Sequence, residues 1–124
     1  MTLRDFHAGF AWVVVGANAV VGLWALAAHW QAALRGRWLW RATVVAELTI
    51  VVQVCVGVAL VAWQDVEVAQ FHAFYGFVAL ATIGIVYSYR HQVEPHLYVL
   101  YGLGGLFLMG LALRAIVISP IPVP

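Results

Sequence analysis

TVVAELTIVVQVCVGVALVAW, residues 43–63, contains a single charged side chain, Glu47. A transmembrane helix needs ~20 mostly apolar residues, and this run, extended back to about Trp38, supplies them. Three more runs of the same kind flank it: from about Leu3 to His29, from just after Asp65 to about Tyr89, and from Pro95 to about Ser119. Thr2 reads as the N-cap of the first helix, with Asp5 as its capping-box partner. Asp65 reads as the N-cap of the third, and Pro95 suits the first turn of the fourth. The tail SPIPVP, residues 119–124, cannot continue a helix, because proline lacks the amide donor and clashes with the preceding turn. The first run is not read as a signal peptide, since its apolar stretch is too long and Asp5 stands beside Arg4 at its head.

Composition agrees. Hydrophobic residues make up 65% of the 124 and charged residues 9%, against ~25% charge in soluble domains. The whole chain, residues 1–124, therefore reads as one transmembrane domain with nothing left over for a soluble one. A net charge of +1 excludes nucleic acid as a partner, because it offers no basic stripe. Cys55 is the single cysteine, so it has no internal disulfide partner, and it reads as a small packing residue.

Arg35, Arg37 and Arg41 lie between the first two helices and Arg90 between the last two, whereas Asp65 and Glu67 occupy the opposite loop. The basic excess marks the cytoplasmic side. The expectation is an inner-membrane protein with both termini outside. Trp24, Trp30, Trp38, Trp40 and Trp63 fall near run ends, as interfacial aromatics do. Connections this short force the helices to alternate, giving an all-α, antiparallel four-helix bundle in which helices 1 and 3 are diagonal neighbours.

Two histidines then share one context. RDFHAGF at 4–10 and QFHAFYGF at 70–77 place His7 and His72 behind Phe and before Ala, near the outer ends of helices 1 and 3. His7 is expected about one turn into its helix and His72 about two turns into its own. A polar group facing hydrocarbon is costly unless paired, so a histidine in a membrane helix is a functional candidate. Diagonal helices in such a bundle lie roughly 13 Å apart, about the span of two imidazoles with an iron between them. One reading is a heme b with His7 and His72 as axial ligands; the other is a pair of interfacial histidines bonded to loops or to each other.

Small residues one turn on, Ala11 and Gly76, leave room for a porphyrin plane. Arg4 and Arg114 are the candidate propionate partners, because guanidinium forks suit carboxylates. Asn18 shares the face of His7 and is expected to bond Gln53 in helix 2. Glu47 is deep for a charge and reads either as a proton or substrate group or as a structural hydrogen-bonding residue. His29, His91 and His96 gather at the opposite end, as solvated interfacial histidines or as a second heme site.

The stretch VVQVCVGVALVAWQDVEVAQFHAFYGFVAL, residues 51–80, resembles one four-helix half of the heme A synthase family. In that family a helix carrying Gln and, one turn later, Gly is followed by a short outer loop and a helix that opens with a ligand histidine. Gln53, Gly57 and His72 occupy those places here, and His7 matches the second axial ligand two helices earlier. The resemblance spans helices 1 to 3. It implies a heme b protein active in electron transfer or heme modification, within a homodimer or a respiratory assembly, with a quinone or a second heme as the substrate. The chain departs from the family in having one half, no cysteine pair in the loop before the first histidine, only Asp5 near His7, and a fourth helix placed after the ligand helices. The alternative expectation is an accessory subunit of a respiratory membrane complex that binds no heme.

Overall fold

The structure is a computed structural model and describes residues 1–118. Four helices account for most of it: α1 Leu3–Trp30, α2 Arg37–Gln64, α3 Gln70–Tyr89 and α4 Leu97–Val117. Short 3-10 turns, Ala32–Leu34 and Glu94–His96, lie in the connections at the arginine-bearing end. All four helices are long and apolar enough to cross a membrane. The proline-rich tail expected to end the last helix lies outside the described residues.

Local chemistry sets the helix boundaries. Thr2 and Asp5 form a reciprocal capping box, each side chain accepting from the other's backbone N–H at 3.1 Å, which satisfies two of the amides a helix start leaves open. At the other end of α1, Arg35 donates to the carbonyls of Ala28 and His29, both at 2.7 Å, and lies over the Tyr98 ring. This arginine therefore closes a helix C-terminus as well as adding charge to the loop.

Asp65 corrects the expected boundary. It is the C-cap of α2, in the left-handed region at φ 52°, and Val66 N–H donates back to the Leu60 carbonyl at 3.1 Å. Aspartate tolerates that conformation better than most residues, so it ends α2 instead of opening α3. Residues 66–69 run without regular structure and α3 begins at Gln70. Pro95 is likewise displaced, into the 3-10 turn that precedes α4.

The helices alternate in direction. Along α1 and α4, Asn18 and Gly22 meet Gly105 while Leu26 meets Gly102; along α1 and α2, His7 meets Gln53 while Asn18 meets Ala46; along α3 and α4, His72 meets Ala115 while Val86 meets Gly104. Each pair runs antiparallel, so His7 and the end of α4 share one end of the bundle. Contacts are most extensive between α1 and α4, then between α1 and α2 and between α3 and α4; α2 and α3 are the neighbouring pair that touches least, and the diagonal pairs touch less still. Helices 1 and 3 are thus diagonal, as expected.

The α1–α4 seam is built on glycine. A Cβ on Gly22 would stand 2.8 Å from Leu106 N, and one on Gly105 would stand 2.8 Å from Gly22 Cα. Backbone approaches backbone there, which in lipid replaces hydrophobic burial as the source of helix association. The core has two apolar parts. Val14, Ile50, Ala79, Leu108 and Leu111 pack in the half holding the chain's N-terminus, and Ala25, Ala28 and Leu39 pack near the arginine-bearing end. Cys55 belongs to neither. It is exposed on α2, so its expected packing role is corrected: its position on that helix turns it away from the bundle interior.

Candidate functional site

His7 stands one turn into α1, and its neighbours Phe6 and Phe10 stack with ring centroids 5.0 Å apart. His72 falls in the first turn of α3, one turn nearer the helix start than expected, because α3 begins at Gln70. The two imidazoles meet across the bundle diagonal with centroids 6.1 Å apart and planes inclined at 69°. The two histidines in their matching Phe-His-Ala contexts therefore converge.

Each ring is held differently. His72 Nδ1 lies 2.8 Å from the Ala115 carbonyl in the last turn of α4. A carbonyl only accepts, so Nδ1 carries a proton, and in the neutral ring Nε2 is left with its lone pair. His7 is held through its backbone: Gln53 Nε2 donates to the His7 carbonyl at 2.6 Å. That corrects the expected Asn18–Gln53 bond. Asn18 Nδ2 donates instead to the Val14 carbonyl at 2.9 Å and the Ala46 carbonyl at 3.4 Å, because antiparallel packing sets Asn18 opposite Ala46, about two turns along α2 from Gln53.

Gly57 completes the seat of His7. A Cβ at that position would lie 3.2 Å from His7 Cε1, tighter than ordinary contact, so the glycine gives the ring its clearance. Gly76 has looser surroundings, with Val54 the nearest side chain at 3.8 Å from a Cβ built there. Ala11 is half-buried. Two polar atoms at this place are buried without a hydrogen-bond partner, His7 Nδ1 and Gln53 Oε1. Such atoms are uncommon in a finished interior.

Arg4 and Arg114 lie at the same end as the histidine pair, and both are exposed. Neither side chain makes a hydrogen bond or an ion pair with the described residues, so the structure does not tie them to the pair. Among the described residues no three His, Cys, Asp or Glu side chains gather closely enough to hold a metal ion. The pair therefore offers two protein ligands and no more. An open recess of about 440 Å³ along Gln70, Phe71, Ala73, Phe74 and Phe77 follows the side of α3 turned away from His72, so it is separate from the pair.

At the arginine-bearing end, His29 and His96 stack with centroids 5.9 Å apart and planes at 23°. His91 is exposed outside that stack. The expected grouping of three is reduced to a parallel pair, whose rings lie alongside one another instead of converging on a point. Sequence reasoning missed the Ala115 carbonyl, which as a backbone group has no residue signature. It also missed Tyr101, which lies near Glu47; a tyrosine within an apolar helix run was the available signal.

Comparison with known proteins adds no relative: no protein-family model, curated protein or solved structure matches this chain.

Proposed function

We propose that this chain is an integral membrane heme b-binding protein, with His7 and His72 as the two axial ligands, serving electron transfer or heme modification in the manner of a half-size heme A synthase. The convergence of two histidines from diagonal helices at 6.1 Å carries the reading. Metal–nitrogen bonds of ~2 Å and ~1 Å from each nitrogen to its ring centre would set two opposed imidazoles ~6 Å apart. Porphyrin supplies four nitrogens of its own, so a two-histidine set suits heme iron, whereas structural zinc takes four protein ligands.

The residues around the pair fit this assignment. The bond from His72 Nδ1 to Ala115 fixes the tautomer that leaves Nε2 free and raises its basicity, the usual service of a second partner to a metal-binding histidine. Gln53 and Gly57 position His7. Ala11 and Gly76 keep bulk away from the neighbouring turns, and the sparse α2–α3 contact is the side on which a flat ring enters most easily. Arg4 and Arg114 supply positive charge at the same level for propionates. When bound, heme supplies one-electron iron chemistry.

On this reading the protein lies in an inner membrane with both termini outside, an orientation supported by the basic excess of Arg35, Arg37, Arg41 and Arg90 at one end. A homodimer or a respiratory-complex partner would supply the rest of the path, with a quinone or a substrate heme as the redox counterpart.

The experiment is spectroscopic. Protein purified from heme-replete cells should show a Soret band and a low-spin, bis-histidine electron paramagnetic resonance signal. His7→Ala and His72→Ala should each lose heme or turn high-spin, while the helices still insert. His96→Ala should keep the low-spin spectrum. A stable but colourless protein would leave the accessory-subunit reading, and retention of the bis-histidine signal in both outer variants would move the ligands elsewhere.

A further inference from the structure

Between the two apolar parts of the core lies a polar layer that the heme reading does not use. Asn18 from α1, Thr43 and Glu47 from α2, and Tyr101 from α4 line a cavity with about 10 Å³ open to the centre of a water molecule. That is room for one water. Gly104 and Gly105 form part of its wall. Asn18 is 1% exposed, and after its amide has donated to Val14 and Ala46 its Oδ1 remains buried with no partner.

Glu47 lies ten residues beyond the first residue of α2, ~15 Å along the helix axis, well inside the apolar span. It makes no hydrogen bond or ion pair with the described residues. The groups that face it are few. Tyr101 lines the same cavity from α4, and Arg90 and Tyr87 at the end of α3 are the other ionisable groups near Tyr101. Between Val13 and Ala28, α1 carries no ionisable side chain. On its own helix, Arg41 is turned over the Trp38 ring.

We infer that the cavity bounded by Asn18, Thr43, Glu47 and Tyr101 is a membrane-buried proton-binding site, in which Glu47 is held as the neutral acid and linked through one water to Asn18. The cost of an unpaired charge in the apolar span favours this state. A water in the cavity can donate to Asn18 Oδ1 whichever form the acid takes, but among the described residues an ionised Glu47 would stand there with no cation beside it. A neutral acid donates to the water, and the water donates to Oδ1, which satisfies the orphaned atom and leaves no unpaired charge in the span. Loading and unloading are proton exchange with water, without any change in oxidation state.

Infrared difference spectroscopy on the full chain in lipid tests this at neutral pH. The expected result is a carboxylic-acid C=O band that shifts in D2O and disappears in Glu47→Gln, a variant that retains its circular dichroism. Dicyclohexylcarbodiimide supplies a second readout. The neutral acid adds across its N=C bond, nothing leaves, and the adduct is carried on the Glu47 peptide, with the exposed Glu67 and Glu94 unlabelled. Superimposable acid bands in the wild type and Glu47→Gln would overturn the proposal. So would labelling that sodium ions suppress, since that would make the oxygen cluster a cation site. Both readouts are independent of heme content, so the proposal stands or falls separately from the His7–His72 assignment.

Discussion

Gly105→Ala should weaken the bundle even though alanine is the better helix former. A Cβ on Gly105 would lie 2.8 Å from Gly22 Cα, 3.1 Å from Gly22 N and 3.2 Å from the Asn18 carbonyl. Carbon atoms pack best at ~3.5–4.0 Å, so α1 and α4 must separate by roughly 1 Å, and all three obstructing atoms are backbone. Overpacking of this kind costs ~1–3 kcal/mol, partly offset by ~1 kcal/mol of helix propensity. Gly110 offers the control on the same helix, because a Cβ there would meet nothing within 4 Å; Gly110→Ala should be neutral or more stable by up to ~1 kcal/mol. Reversible unfolding in mixed micelles, followed by circular dichroism, should therefore separate the two variants by roughly 1–3 kcal/mol. Equal midpoints would refute the claim that α1 and α4 associate through direct backbone contact.

Three further outcomes follow, the first two from the proposed heme reading and the third from the proposed orientation. Gln53→Leu removes the 2.6 Å bond to the His7 carbonyl; interhelical bonds in membranes average ~0.6 kcal/mol, so the fold should survive while a broadened low-spin signal reports a looser His7, and an unaltered signal would show that the bond does not position the ligand. Arg114→Gln should keep most of the heme but lower its reduction potential, because removing a cation near the propionates favours the oxidised state; an unchanged redox titration would assign Arg114 to the membrane interface. A cysteine probe placed after Arg35 should resist impermeant reagents in intact cells if the basic excess sets that loop on the cytoplasmic side, as proposed; labelling there would reverse the orientation.

Helix number, order and diagonal arrangement were legible from apolar run lengths and short connections, because a bilayer leaves few alternatives to an alternating bundle. The meeting of His7 and His72 was legible for the same reason: equal depth on diagonal helices is a consequence of topology. What escaped the sequence lay in reciprocal choices between residues. Asp65 is a good cap at either kind of helix end, and only the backbone shows that it ends α2 in the left-handed region. Asn18 and Gln53 were both expected inside, and both are, yet each bonds a backbone carbonyl on a neighbouring helix instead of the other side chain. Lipid explains the preference. Nothing dry and apolar competes for an amide, helix carbonyls are abundant along every interface, and the nearest one wins over a distant side chain. The glycines divide in the same way. Gly22, Gly102 and Gly105 are pressed against a neighbouring helix, whereas Gly9, Gly16, Gly84 and Gly110 meet nothing within 4 Å, although composition alone presents them alike. The seam that brings α1 onto α4 also sets Asn18 opposite Glu47 and Tyr101, so the polar layer is positioned by glycines that carry no polar chemistry themselves.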